Sequence, residues 1–261
     1  MHALRFILND PLQDCLARMS QAIFIAGTDT GIGKSVVSAT LLAALNANGH
    51  RAVGMKPVAS GCRETAQGLR NEDAELLIAH SADAPHYAQV NPFALPDAIA
   101  PHLAAAHAGV EVRLDPIVAA FAALSTIADF VVVEGVGGWM VPLSDTLMQA
   151  DLVRALRLPV ILVVGLRLGC LNHAQLSARA IIADGCKLVG WIGNRVDPAM
   201  DCVEANIATL RARLPVPCLG VVPFASTPDP CALAPHLRAT AVALATARQA
   251  ESHGPADAGL C

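Results

Sequence analysis

The sequence predicts an α/β fold: a mainly parallel central sheet flanked by helices on both faces. Three observations predict it. Aliphatic and β-branched runs such as Phe130-Val131-Val132-Val133 and Val160-Ile161-Leu162-Val163-Val164 recur without the polar alternation of a half-exposed strand. Strands buried on both faces belong to parallel sheets wrapped by helices. Helical patterns separate these runs, and glycine and polar residues gather where the runs end, the edge at which open α/β sheets hold ligands.

The elements follow in order. Ala22-Ile23-Phe24-Ile25-Ala26 is the first strand, and it leads through Gly27-Thr28-Asp29-Thr30-Gly31-Ile32-Gly33-Lys34-Ser35 into a helical pattern at 36–45. Strand, glycine loop and helix in this order form a phosphate cradle. Glycines let backbone N–H groups close around phosphate oxygens, the helix start adds a positive dipole end, and Lys34 supplies a mobile cation. Ser35 then offers a hydroxyl to Mg²⁺. The common spacing would put glycine at position 28, where this chain has Thr28, so the loop is one residue longer between its first glycine and Gly33.

A short buried strand is expected over 52–58, ending at proline, and a helix over 69–79 with Glu72, Asp73 and Glu75 near its start. The proline-rich stretch 85–101 reads as an excursion outside the sheet, followed by a helix at 116–127. The strand 130–134 closes on Glu134, an acid that is costly to bury without a partner. Further strands are expected at 160–164, 188–192 and 218–222, with helices at 148–156, 172–183 and 200–214 between or after them and an alanine-rich helix at 239–250.

Composition narrows the function. The 261 residues suffice for one large domain, and the organisation expected is an extension at 1–18 outside the core, a single domain over 19–250 and a mobile tail at 251–261. The first eighteen residues carry Asp10 and Asp14 and lack a long apolar core, so they do not read as a secretory signal. Hydrophobic residues make up 54% of the chain, yet no apolar run reaches the ~18 residues that span a bilayer. The expectation is a soluble cytoplasmic protein without a membrane partner. A net charge of -4 without a basic block argues against nucleic acid, which needs clustered Lys and Arg, and leaves small molecules as partners. Eight cysteines lie dispersed without a C-x-x-C pair, and nine histidines lack metal-ligand spacing. Free thiols in a reducing compartment are therefore expected, rather than zinc or disulfides.

Taken as a set, GTDT-x-x-GK[ST], KPVASG, LRN-x-DA, VEG-x-GGW, PLSDT, VVG-x-x-LGC-x-NHA and GW-x-x-N, running in order from about Ser20 to Phe224, resemble the dethiobiotin synthetases of the P-loop NTPase superfamily. The resemblance implies a P-loop NTPase type of sheet. It also implies ATP- and Mg²⁺-dependent carboxylation and ring closure of 7,8-diaminononanoate with CO₂, in biotin synthesis. An amine captures CO₂ as a carbamate, the carbamate attacks the γ-phosphate, and the second amine displaces phosphate to close a cyclic urea. The protein's task is then positioning and charge stabilisation.

Carried over by position, the resemblance gives Lys34, Lys56 and Thr28 to the reacting groups, with Lys56 on the carbamate and the migrating phosphoryl group. Gly31, Ile32, Gly33, Lys34, Ser35 and Val36 hold the nucleotide phosphates. Ser35, Asp73 and Glu134 ligate Mg²⁺, directly or through water. Asn194 reads the base beside Pro223 and Phe224. Ser60, Gly137 and Gly138 meet the diamine, and Asn172 at a helix start receives the substrate carboxylate across a homodimer interface. Two departures stand out. Gly31 replaces a glutamate that several members of the family carry, and Asn194-Arg195-Val196-Asp197 approximates the N-K-x-D pattern that reads guanine, although ATP is the expected nucleotide.

Each residue also has a plainer reading. An acid in a helix's first turn, like Asp73, is usually a cap; a lysine after a strand, like Lys56, is usually a solvated charge. Trp139 and Trp191 read as packing residues. Two rival functions are weaker. Partition ATPases of the superfamily carry a lysine early in the loop, where this chain has Asp29, and a glutamine-dependent amidase would need a glutaminase domain that the residues after Phe224 are too few to build.

Overall fold

A computed structural model of the chain describes residues 21–251. Residues 1–18, and all but the first residue of the segment 251–261, lie outside the described part, so the expected extension and tail are not addressed by it. The elements are β1 (Gln21–Gly27), α1 (Lys34–Ala47), β2 (Ala52–Met55), β3 (Val58–Ala59), β4 (Arg63–Thr65), β5 (Gly68–Arg70) and α2 (Glu72–Ala79). They continue with α3 (Tyr87–Val90), β6 (Phe93–Ala94), α4 (Pro101–His107), α5 (Leu114–Ile127), β7 (Phe130–Glu134), α6 (Gln149–Ala155) and β8 (Val160–Leu166). The remainder is α7 (Cys170–Ala183), β9 (Leu188–Arg195), α8 (Val203–Arg213), β10 (Cys218–Val222), α9 (Pro230–Leu233), a 3₁₀ turn at Ala234–Leu237 and α10 (Arg238–Glu251).

The apolar runs pair into one six-stranded sheet in the order β10-β9-β8-β1-β7-β2, and every pairing in it is parallel. Successive side chains of each strand enter opposite cores. Phe24, Val131, Val133 and Leu162 pack with Ile117, Phe121 and Leu124 of α5 and Ala174 and Ile181 of α7. Ile23, Ile25, Val132 and Ile161 pack instead with Val37, Leu41 and Leu45 of α1 and Leu237 beyond α9. Each such side chain contributes about 1.5–3 kcal/mol when fully buried, which is why the strands show no polar alternation. The chain leaves β1 toward β2 and leaves β8 toward β9, so a crevice opens at the carboxyl ends of the central strands.

Three expectations change in detail. The strand foreseen over 52–58 stops at Met55, because Pro57 has no N–H to donate to a ladder. Val58 and Ala59 pair instead with Phe93 and Ala94 in a separate two-stranded sheet. The helix foreseen over 69–79 begins at Glu72: the Asn71 side chain accepts the Asp73 and Ala74 N–H groups and sets the start, while Gly68–Arg70 pairs antiparallel with Arg63–Thr65. The proline-rich excursion contains α3, β6 and the start of α4. Trp191 is fully buried and Trp139 is buried edge-on against Phe24, so both are packing residues. Among the described residues the cysteines are free, and no helix is long and apolar enough to cross a membrane.

Candidate active site

The glycine loop is built by β1 and α1. Past the end of β1 the Thr28 N–H still donates to the Val163 carbonyl at 3.0 Å, so the loop springs from the sheet between β1 and β8. Gly33 caps α1 with φ 74°, in the left-handed region, and a Cβ there would come within 2.3 Å of Asn194 Nδ2; only glycine fits. No side chain caps α1, which leaves its first N–H groups free for phosphate oxygens. Lys34 Nζ reaches back across the loop to the Asp29 carbonyl at 3.0 Å. Burial, helped by the neighbouring Lys56 cation and opposed by Glu134, Asp73 and Asp29, lowers its pKa from 10.5 to about 8.

Beneath the loop lies a charged cluster. Lys56, 3% exposed at the carboxyl end of β2, donates to Glu134 Oε1 at 2.6 Å, to Asp73 Oδ2 at 2.8 Å and to the Gly135 carbonyl at 3.2 Å. Burial alone would lower its pKa, but Glu134 and then Asp73 outweigh burial and raise it, so Lys56 is a fixed ammonium. For Asp73, burial pulls the pKa upward; Lys56, Ser35 and Lys34 together hold it below the ordinary carboxylate value. Ser35 Oγ donates to Glu134 Oε1 at 2.7 Å. Glu134, at 0% exposure, keeps its second oxygen, Oε2, buried without a hydrogen-bond partner. An orphaned carboxylate oxygen beside a hydroxyl and a second carboxylate is a hard-oxygen donor set of the kind Mg²⁺ takes. The residues present fit that ion.

Polar side chains outside the motifs' obvious chemistry hold this cluster in register. Asn91 Nδ2 donates to the Lys56 carbonyl at 2.7 Å, and its Oδ1 accepts from the Tyr87 hydroxyl at 3.0 Å. Tyr87 Oη in turn accepts the Asn71 N–H at 2.8 Å, and Asn71 caps the helix that carries Asp73. The two partners of the charged cluster, Lys56 and Asp73, are thus joined by a second, neutral route. Gln149, 1% exposed, holds the glycine turn after β7: it accepts the Val136 N–H at 2.8 Å and donates to the Gly138 carbonyl at 2.9 Å. Within that turn Gly137 has φ 61°, and a Cβ there would stand 3.0 Å from Val141 Cγ2 and 3.6 Å from Thr30 Oγ1.

A cleft of about 600 Å³ opens over the cluster. Of the residues predicted from sequence, Gly31, Gly33, Lys34, Ser35, Val36, Lys56, Ser60, Asp73 and Gly137 line it, and Glu134 lies under its floor through its bonds to Lys56 and Ser35. Gly138 sits beside the loop, where a Cβ would stand 3.8 Å from the Gly27 and Thr28 carbonyls. Ile32 is buried, its carbonyl taking the Asn194 Nδ2–H at 2.9 Å, so Asn194 braces the loop from below. Asn172 does not line the cleft; it is exposed in the first turn of α7, two residues after Cys170, which opens that helix. Pro223 and the exposed Phe224 follow β10 and also lie outside this cleft. Asp197, the acid of the guanine-like pattern, accepts the Ala199 N–H at 2.9 Å in a local turn. Asp29 pairs with Arg167, which leaves the carboxyl end of β8. Sequence reasoning did not single out Thr30, Leu76 and Val136 in the cleft wall, nor Tyr87, Asn91 and Gln149 behind it. No signal in the sequence marked the braces: Tyr87 and Gln149 each open a short helix and Asn91 closes one, and which polar residues there meet a buried partner is not visible in a sequence.

Comparison with known proteins gives a consistent picture. Residues 21–230 match a family described as an AAA domain. An ATP-dependent dethiobiotin synthetase BioD of Xanthomonas euvesicatoria pv. vesicatoria is 61% identical over 213 residues, 82% of this chain and 95% of that protein. One of the same name from Xylella fastidiosa is 59% identical over 202 residues, 77% of this chain and 89% of that protein. Among solved structures, a ParA family ATPase from Chlorobium tepidum has a TM-score of 0.53 at 12% identity, covering 87% of this chain and 98% of that one. The MinC:MinD cell division protein complex of Aquifex aeolicus has 0.52 at 13% identity, covering 93% and 100%. At such low identity these two share the fold alone.

Proposed function

The chain belongs to the dethiobiotin synthetase family, and on that footing we propose how its residues divide the work, with Mg²⁺ as cofactor, in a cytoplasmic homodimer. It is an ATP-dependent ligase that forms carbon–nitrogen bonds, joining CO₂ to 7,8-diaminononanoate to give dethiobiotin, ADP and phosphate. The observation that carries the division of roles is the Lys56, Glu134, Asp73 and Ser35 cluster directly beneath the glycine loop.

The N–H groups of Gly31 to Val36, with the Ile32 backbone, wrap the β- and γ-phosphates, and the Lys34 ammonium neutralises their oxygens. One amine of the substrate takes up CO₂ as a carbamate, whose oxygen attacks the γ-phosphorus; ADP leaves with the bond electrons. The second amine then attacks the carbamoyl carbon of the mixed anhydride, phosphate departs and the ring closes. Charge grows on the carbamate and on the phosphoryl oxygens in both steps. Lys56 lies where it can offset that charge, and its two carboxylate bonds keep it protonated and aimed without reorganisation. Thr28 stands at the root of the loop beside the reacting groups. Ser60 and the bare backbone of Gly137 in the cleft wall, with Gly138 beside the loop, leave space for the diamine chain. Ser35, Asp73 and the free Oε2 of Glu134 would hold Mg²⁺, which would supply positive charge to offset that of the phosphate oxygens.

Asn194, fixed by its bond to Ile32, reads an adenine base with Pro223 and Phe224 nearby in this reading. The dimer rests on α7: Asn172 is exposed in its first turn, Leu168 just before it is 96% exposed, and Leu176 on the same helix is also exposed. A second copy would cover these apolar groups and let Asn172 receive the substrate carboxylate at a helix N-terminus. The purified protein, given diaminononanoate and bicarbonate, is expected to form dethiobiotin with ATP and MgCl₂ and to lose activity when EDTA replaces magnesium. Leu168→Asp is expected to sediment as a monomer with a raised KM for the diamine. Full turnover in EDTA removes the metal, and a monomeric wild type with normal KM removes the shared site.

A further inference from the structure

Tertiary folding brings together a cluster that no spacing in the sequence announces. His80, at the end of α2, and Asp229 and Cys231, at the start of α9, each place a ligand atom within 4.8 Å of the others. They meet because α2 and α9 both pack on α1. We propose that these three side chains form a second metal site, separate from the Mg²⁺ donors and suited to Zn²⁺, which ties α2 to the segment that follows the Pro223-Phe224 loop.

The chemistry of the donors argues for a thiophilic ion. Thiolate, imidazole and one carboxylate are the ligands zinc takes, whereas Mg²⁺ takes oxygen. Zinc bonded at about 2.0–2.3 Å needs its ligand atoms roughly 3.3–3.8 Å apart, and rotation of the exposed Asp229 and Cys231 side chains from their present positions can supply the closure. His80 is prepared for the role. Its backbone N–H bonds the Leu77 carbonyl, its own carbonyl accepts from Asn46 Nδ2 at 2.9 Å, and its ring Nδ1 lies 2.9 Å from the Leu76 carbonyl. A backbone carbonyl on Nδ1 requires the proton there and leaves Nε2 as the free lone pair, the outer-shell arrangement that orients metal-binding histidines. Asp229 accepts the Cys231 N–H through Oδ1 at 2.9 Å, which holds the two ligands side by side and leaves Oδ2 for the ion. With three protein donors the fourth position falls to water. Binding converts the Cys231 thiol to a thiolate, and its proton leaves to solvent.

The consequence is mechanical. Helix α2 carries Asp73 at one end and His80 at the other, and Leu76 between them lines the cleft. An ion at His80 would restrain that helix against α9 while touching none of the reacting groups.

The test is cobalt substitution in the full chain. Co²⁺ is expected to give a thiolate-to-cobalt charge-transfer band with the absorption of a four-coordinate ion, displaced by Zn²⁺, and Zn²⁺ is expected to raise the melting temperature. Cys231→Ser should abolish the band and the melting shift. His80→Gln and Asp229→Asn should each weaken Zn²⁺ by at least tenfold, about the least that even outer-shell changes cost. Cys202→Ser, at the other exposed thiol among the described residues, should leave all readings as in the wild type. Cys231 is exposed, so its variant folds. Ions bound by the oxygen donors near Glu134 give no thiolate band, and dethiobiotin synthesis with ATP and Mg²⁺ persists in Cys231→Ser. Absence of the band in the wild type, its survival in Cys231→Ser, or wild-type affinity in any of the three ligand variants overturns the site.

Discussion

Replacing Lys56 by methionine separates its electrostatic duties from its bulk. The ammonium is 3% exposed, and it bonds Glu134 at 2.6 Å, Asp73 at 2.8 Å and the Gly135 carbonyl at 3.2 Å. Asp73 is partly solvated and can turn to water, but Glu134 is at 0% exposure and retains only the Ser35 hydroxyl. Leaving one buried charge without its partner costs about 3–5 kcal/mol, and at about 2–4 °C per kcal/mol for a domain of this size the melting temperature should fall by about 6–20 °C. The double variant Lys56→Met with Glu134→Gln removes both charges at once and should regain most of that loss, since a buried pair is often neutral against uncharged replacements. Activity behaves differently: kcat should fall by about 10²–10³ in the single variant, the size of one preorganised charge donor, and stay lost in the double. Calorimetric melting and dethiobiotin formation measured on the same preparations decide it. A double variant no more stable than the single refutes the ion-pair reasoning, and near-normal turnover in Lys56→Met refutes the catalytic role.

Lys34 should make nucleotide binding proton-linked. Its pKa of about 8 lies below the ordinary 10.5, chiefly through burial, so the free protein holds the ammonium below pH 8 and loses it above, whereas bound phosphate favours the charged form. At pH 8 nucleotide binding should take up about half a proton, and affinity should weaken above pH 8 by up to about tenfold per unit; calorimetry in two buffers of different ionisation enthalpy measures the uptake, and none at all would contradict the assignment. The same shift has a stability sign: the cost of burying the charged Lys34 is fully present below pH 8 and fades as pH rises toward 10.5. Glu134→Gln should erase the gain in nucleotide affinity that MgCl₂ gives the wild type, a gain of roughly 10–100-fold if the carboxylate acts as a ligand. Titrations with and without EDTA test this, and an unchanged Mg²⁺ response would take Glu134 out of the metal's reach.

Much of the architecture was legible before any coordinates, for definite reasons. Ile23 and Phe24 are both apolar because each faces a different core, so the run at 22–26 already declared a strand between helices. The glycine loop was legible because Gly31 and Gly33 occupy left-handed backbone that other residues avoid. What misled was local. Pro57 ended the ladder at Met55, three residues sooner than the apolar run to Val58 suggested, and the Asn71 cap overrode a helical pattern that began at Leu69.

The neutral braces were invisible for a different reason. Nothing in the composition around Tyr87, Asn91 or Gln149 separates a polar residue that meets water from one that closes a buried hydrogen bond. His80, Asp229 and Cys231 are the extreme case, since their association depends on two helices packing against a third.

By itself, the sequence determined the strands of the six-stranded sheet, the phosphate loop and the residue types at each of those strand ends, because these follow from short-range periodicity and from backbone conformations that few residues can adopt. Only the tertiary structure decided that Lys56 stands between Glu134 and Asp73, that one oxygen of Glu134 is left without a partner, and that Asn194 braces the loop from below. Those are distances between segments far apart in the chain, and the strand order that creates them is chosen by the packing of both cores at once.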